Sequence, residues 1–151
     1  MEFVEEEVQP IGYFKILVVD DDETVHEVMS LALGNVCIAK RRIKILSAYA
    51  AYAGFQLLEQ HADIALLITD IDLKSDDSGF QLIRRVRSDG RFVDLPILIR
   101  TGQVDCSFYE SFMLKYNVSG LLMKSKTTCA LLISSISSAL GVGNENPSKF
   151  I

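Results

Sequence analysis

The run Ile64-Ala65-Leu66-Leu67-Ile68-Thr69-Asp70 constrains the fold of this chain more than any other stretch. It is short, almost continuously apolar, and ends on a carboxylate. Such runs form central strands of parallel sheets, buried on both faces. A carboxylate that closes one sits at the carboxyl edge of the sheet, where open α/β folds collect their chemistry. A second run, Phe14-Lys15-Ile16-Leu17-Val18-Val19, leads directly into Asp20-Asp21-Asp22. Laid parallel and side by side, the two strands bring their acidic ends together.

The rest of the chain supplies the crossovers that this arrangement needs. Val25, Val28, Met29 and Ala32 recur at helical spacing after the first strand, and Gly34-Asn35 can stop that helix. A connection over 36–42, with the basic cluster Lys40-Arg41-Arg42, leads to a second strand at Ile43–Ala48 and a helix over 50–60 that buries Ala53, Leu57 and Leu58. The third strand is Ile64–Thr69. The polar loop Lys74-Ser75-Asp76-Asp77-Ser78-Gly79 precedes a helix over Phe80–Ser88, which buries Phe80, Ile83 and Val86 and turns Arg84, Arg85 and Arg87 to solvent. A fourth strand at Ile97–Arg100, a helix over 107–116, a fifth strand at Leu121–Met123 and a helix over 127–140 complete five strand–helix pairs. Thr127 or Thr128 can cap the last helix. Alternation of this kind gives a doubly wound α/β parallel sheet, flavodoxin-like (βα)5, with strand order 2-1-3-4-5 and its switch point between the first and third strands.

Composition excludes several classes. A net charge of −5 argues against a nucleic-acid surface, which needs a basic stripe. Cys37, Cys106 and Cys129 are odd in number and widely spaced, so they form neither a metal pattern nor a disulfide framework. The acidic start, Met1-Glu2-Phe3-Val4-Glu5-Glu6-Glu7, lacks the order of a signal peptide, and no apolar run approaches the roughly 18 residues of a membrane span. A cytoplasmic protein without membrane contact is expected. His26 and His61 read as helix or surface residues with no catalytic partner.

The strand ends carry the chemistry. Two carboxylates about 4 Å apart repel by about 4 kcal/mol at an effective dielectric near 20. A cluster of Asp20, Asp21 and Asp70 therefore calls for a hard cation, and Mg²⁺, with its oxygen ligands and retained waters, suits a site that also handles phosphate. One of Asp20 to Asp22 is expected to cap the following helix. Thr101 follows the fourth strand and offers a hydroxyl; Lys124 follows the fifth and offers a cation.

Four motifs in this order, Ile16-Leu17-Val18-Val19-Asp20-Asp21, Leu67-Ile68-Thr69-Asp70, Thr101-Gly102 and Gly120-Leu121-Leu122-Met123-Lys124, resemble those of the response-regulator receiver (CheY-like) domains of two-component signalling, over residues 14–140. Residues 1–13 are then an acidic arm and 141–151 a linker or tail. The resemblance implies a phosphoacceptor module rather than an enzyme: Asp70 takes a phosphoryl group from a sensor histidine kinase, and Asp20, Asp21, Asp70 and the backbone carbonyl of Asp72 hold Mg²⁺. Thr101 is the switch hydroxyl and Lys124 the phosphate-binding lysine, with Lys126 second to it. The face of the fourth and fifth helices, with Phe108, Phe112 and Tyr116, is the output surface, read by a partner or in a homodimer. The stretches from Asp20 to Glu27, Leu46 to Tyr49 and Ile99 to Gln103 are similar to receivers fused to cyclic-di-GMP enzymes, HD-GYP phosphodiesterases or GGDEF cyclases, so a C-terminal output domain is expected in a longer protein.

The chain departs from the family pattern in places. Lys74 stands where proline is usual, Gly79 comes one residue late, and Leu121 replaces a common aromatic switch residue. Ser125 replaces a proline after the lysine; a cis bond there would cost about 3–4 kcal/mol, so trans is expected. These departures leave a pseudo-receiver, an interaction module that takes no phosphate, as the alternative. Asp70-Ile71-Asp72 also resembles the first motif of haloacid-dehalogenase-like phosphatases. That family needs the motif on its first strand and an acidic pair far downstream, but two strands precede it here, and only Glu110 and Glu145 are acidic after Asp105. A Rossmann-type nucleotide domain would need a glycine-rich turn where Asp20-Asp21-Asp22 stands.

Overall fold

The computed structural model describes residues 10–72, 78–102, 106–142 and 148–149. Strand β1 (Tyr13–Val19) is followed by α1 (Glu23–Leu33), β2 (Val36–Ile38), β3 (Arg41–Ala48), α2 (Ala51–Gln60), β4 (Ile64–Asp70), α3 (Gly79–Ser88), β5 (Ile97–Thr101), α4 (Cys106–Tyr116), β6 (Gly120–Met123), α5 (Cys129–Ala139) and β7 (Ser148–Lys149). The sheet runs β6-β5-β4-β1-β3-β2-β7. Its parallel part, β3-β1-β4-β5-β6, is the expected 2-1-3-4-5 order. Among the described residues no helix is long and apolar enough to cross a membrane, and no peptide bond is cis.

Two strands were not expected. Residues 36–42, read as a connection, fold into an antiparallel β2–β3 hairpin, with Cys37 opposite Arg42 and Ile38 opposite Arg41. Its two turn residues, Ala39 and Lys40, both have positive φ, 49° and 63°. That twist suits a two-residue hairpin, but Asn or Gly usually provides it, so the sequence carries no turn signal. Outside the hairpin, β7 pairs with Val36 and Cys37, so part of the stretch read as a tail adds to the sheet edge. The arm over residues 1–9 lies outside the described residues. Its end is held: the Ile11 amide donates to the Lys40 carbonyl (2.8 Å) and the Arg42 amide to the Gly12 carbonyl (2.9 Å).

Strand alternation sorts the core into two layers. Leu17, Val19, Leu67, Ile97 and Ile99 pack under α2, α3 and α4 with Phe55, Ile83 and Phe112. Ile16, Val18, Leu66, Ile68, Leu98 and Leu122 pack under α1 and α5 with Met29, Leu132 and Ile136. In α1 the buried residues are His26, Met29 and Leu33. Val28, one of the four apolar residues at helical spacing, is 57% exposed. In α2, Ala51, Gly54, Phe55 and Leu58 are buried, with Ala53 and Leu57 only partly so. Arg87, expected on the solvated face of α3, turns inward. Its guanidinium donates to the carbonyls of Tyr116 (2.7 Å), Phe92 (2.8 Å) and Asn117 (3.1 Å), tying the end of α3 to the end of α4. The caps follow the sequence: Asp22 accepts from the Thr24 amide, Thr128 from the Leu131 amide, and Ser78 with Gln81 forms a capping box on α3.

Candidate functional site: an acidic pocket at the carboxyl edge

Continuing the same alternation past the strand ends predicts what the site contains. Asp20 follows Ile16 and Val18, Asp70 follows Leu66 and Ile68, and Lys124 follows Leu122, so all three leave the sheet on the α1–α5 side. One carboxylate oxygen each from Asp20, Asp21 and Asp70 lies within 4.8 Å of the others. With Asp72 and Lys124 they line a pocket of about 480 Å³. Asp20 and Asp70 are almost fully buried, at 1% and 2% exposure. An all-oxygen donor set of this size fits a hard divalent cation.

Each buried acid is held. Asp70 Oδ2 accepts from Lys124 Nζ at 2.8 Å, and its Oδ1 from the Asp72 amide at 3.0 Å. Lys124, not Lys126, is therefore the lysine of the pocket. Asp20 Oδ1 accepts from the Asp22 amide at 2.9 Å. Burial pushes the Asp20 carboxyl above its ordinary pKa, and the Asp70 charge adds to this; the Asp22 amide and the charges of Arg100 and Lys124 act the other way. The third cluster residue, Asp21, is half-buried at the pocket wall.

Two residues of the site escaped sequence reasoning. Arg100 Nη1 donates to Asp20 Oδ2 at 2.7 Å, with only 15% of its side chain exposed. Arg100 follows Leu98 by two, so period-two alternation already aims it at the α1–α5 side. His26, read as a helix or surface residue, lies in α1 but is only 4% exposed, with Nε2 at 2.8 Å from the Asp20 carbonyl oxygen and its ring 4.5 Å from that of Tyr49. A histidine one turn into a helix that starts at the site can reach back to the strand end, a signal visible only once the helix start is fixed.

Thr101 continues the other alternation, from Ile97 and Ile99, onto the α4 side. It is fully buried, and its hydroxyl lies 2.9 Å from that of Tyr109 on α4. Tyr109 belongs to an aromatic group with Phe80, Phe108 and Phe112. Of the aromatic residues expected on the output face, Phe108 is 52% exposed but Phe112 only 5%. Gly79 opens α3 directly against the acid: a Cβ there would lie 2.1 Å from the Asp70 carbonyl oxygen. Although one residue late in the pattern, this glycine is what lets α3 approach. Lys74, Asp76 and Asp77 lie outside the described residues.

A buried acid at the end of a central strand, flanked by two further acids, a lysine and a hydroxyl on neighbouring strand ends, marks a doubly wound α/β domain whose acidic pocket is compatible with a phosphoacceptor site. The chain belongs to the response regulator receiver domain family, whose sequence profile matches residues 16–134. It is 25% identical over 113 residues to a 3'3'-cGAMP-specific phosphodiesterase 2 of Vibrio cholerae, a match covering 75% of this chain and 22% of that one. To the chemotaxis protein CheY1 of Helicobacter pylori it is 32% identical over 87 residues, covering 58% of this chain and 66% of that one. A response regulator receiver protein from Pseudomonas putida superposes with a TM-score of 0.70 at 26% identity, covering 83% and 96%. The phosphatase alternative falls with this assignment.

Proposed function

We propose that Asp70 is the phosphoacceptor, with a sensor histidine kinase in the cytoplasm as donor. In this reading Asp20, Asp21, Asp70 and the backbone carbonyl of Asp72 hold Mg²⁺, and Thr101 and Lys124 bind the transferred phosphoryl group. The observation that carries it is the cluster of three carboxylate oxygens within 4.8 Å, with Lys124 Nζ 2.8 Å from Asp70.

An Asp70 carboxylate oxygen forms the new O–P bond as the N–P bond of a phosphohistidine breaks, leaving its electron pair on the imidazole nitrogen. The Asp72 amide on Oδ1 and Lys124 on Oδ2 fix the carboxylate before attack. Phosphoryl transfer asks the protein mainly for positioning and charge neutralisation. Mg²⁺, which Asp20, Asp21, Asp70 and the Asp72 carbonyl would hold, would supply the second. Lys124 needs only a small shift from Asp70 to meet a phosphoryl oxygen, and the Thr101 hydroxyl donates to another. Movement of Thr101 is felt by α4 through Tyr109, and the population shifts between two packings of β5, α4 and β6. The α4–α5 face, where Phe108 and Leu131 are exposed, is then read by an output domain or by a second copy of the chain. The match to a much longer 3'3'-cGAMP-specific phosphodiesterase supports a fused output domain, of the phosphodiesterase rather than the cyclase kind.

Acetyl phosphate with and without Mg²⁺, read by intact mass, tests the proposal. Mg²⁺-dependent gain of one phosphoryl group, lost in Asp70→Asn, is the expected result. No gain in the presence of Mg²⁺ would instead make the domain a pseudo-receiver.

A further inference from the structure

The carboxylates of this pocket are already partly neutralised by the chain itself. Asp20 has both oxygens engaged, Oδ1 by the Asp22 amide and Oδ2 by Arg100. Arg100 stands on β5, and the order β5-β4-β1 places a whole strand between it and Asp20. Its side chain must therefore extend across β4, over the face that ends in Asp70, to reach its partner. The resulting pair is buried, 15% exposed on one side and 2% on the other, where charges interact far more strongly than at a surface. A divalent cation entering beside Arg100 and Lys124 meets two positive charges as well as three negative ones.

The structure also gives the guanidinium somewhere to go. A cavity of about 350 Å³ opens between α1 and α5, walled by Val25, Val28, Met29 and Leu132, and both Arg100 and Lys124 line it. It adjoins the acidic pocket, since Val25 and Lys124 line both.

We propose that Arg100 is a built-in competitor of the divalent cation: it holds Asp20 in the cation-free state, weakens cation binding, and withdraws into the α1–α5 cavity when the cation binds. Arg100 is thus a positioning residue that acts through Asp20. This rests on the metal reading of the acidic cluster given above. An internal counter-ion keeps Asp20 and Asp70 from repelling each other when no metal is bound, at the expense of metal affinity. Neither the cation nor a phosphoryl dianion then needs to be present for the domain to stay folded.

The test is Mg²⁺ titration of the chain by calorimetry, wild type against Arg100→Gln, together with the Arg100 Nε–Hε NMR signal of the wild type during the same titration. Arg100→Gln is expected to bind Mg²⁺ about three- to tenfold more tightly, and the wild-type Arg100 signal to move in step with saturation. Equal or weaker binding by Arg100→Gln, or an Arg100 signal that stays fixed while the amides of Asp21 and Asp72 move, overturns the competitor role and leaves the metal reading intact. A wild type that does not bind Mg²⁺, with Arg100→Gln also silent, overturns both. Should Arg100→Gln fail to fold, the wild-type signal alone decides.

Discussion

Gly79→Ala tests how closely α3 is seated against the strand that ends in Asp70. A Cβ on Gly79 would lie 2.1 Å from the Asp70 carbonyl oxygen and 2.9 Å from the Asp70 carbonyl carbon and Ile71 Cα. Ordinary carbon–oxygen contacts are about 3.3–3.6 Å, so helix and strand must part by roughly 1.2 Å. Every atom in the way is backbone, so no rotamer change relieves the clash. Parting them stretches the Gly79 amide bond to the Ile71 carbonyl, already 3.4 Å, and loosens Leu82 and Ile83 in the core. Overpacking of flexible side chains costs about 1–3 kcal/mol; a backbone clash belongs at the top of that range, so about 3 kcal/mol is expected. For a domain of this size that is a fall in Tm of about 6–12 °C. Urea and thermal unfolding by circular dichroism measure it. Acetyl phosphate labelling well below Tm should be slowed as well, because the displaced atoms are those of Asp70. A loss under about 0.5 kcal/mol, the scale of neutral surface changes, with wild-type labelling, would show that α3 does not sit where this reasoning puts it.

Two further outcomes follow from polar contacts away from the pocket. Arg87→Met removes three hydrogen bonds to the carbonyls of Tyr116, Phe92 and Asn117 and should cost about 2–4 kcal/mol in urea unfolding, since hydrogen bonds to charged groups are worth about 1.5–3 each and water recovers part of the loss; a cost under 1 kcal/mol would mean that the guanidinium is not the clasp between α3 and α4. The Asp89 carboxyl is held at about 2 by the Arg91 guanidinium and backbone amide, below its unfolded value, so its contribution is complete above the unfolded value near 3.9 and disappears as pH falls through about 2. An NMR titration of that carboxyl should show the low midpoint and its return toward the unfolded value in Arg91→Gln, whereas an unshifted wild-type midpoint would refute the pairing.

The parallel sheet and its acidic edge were legible because each depends on a local signal. Apolar runs that end in Asp20 and Asp70 report burial on both faces and the strand terminus together. The β2–β3 hairpin was not legible, because Ala39 and Lys40 adopt positive φ without the residues that usually advertise it, and tertiary pairing with residues 11–12 pays the conformational cost. Arg87 was read as solvated, and Arg100 was given no role, for a related reason. A long cationic side chain looks solvated in sequence, and only the fold shows that carbonyls or a carboxylate wait within reach. His26 hides in the same way, its partner being a backbone carbonyl that no sequence pattern marks.

The pairing of Thr101 with Tyr109 has a consequence for the direction in which a signal leaves the pocket. A hydroxyl has one proton to give and two lone pairs, so in the free domain either partner can be the donor. If the Thr101 proton is committed to a phosphoryl oxygen, as proposed, only the Tyr109 proton can bridge the pair, and the chain of hydroxyls would run one way, from Tyr109 through Thr101 to the phosphate. Under the proposed function, the polarity of that short wire would be set at Asp70 and read at a ring packed inside α4's own aromatic group. Leu121 on β6 would need no rotation to carry the message by that route. Helix α4 would then sense the heading of a single proton.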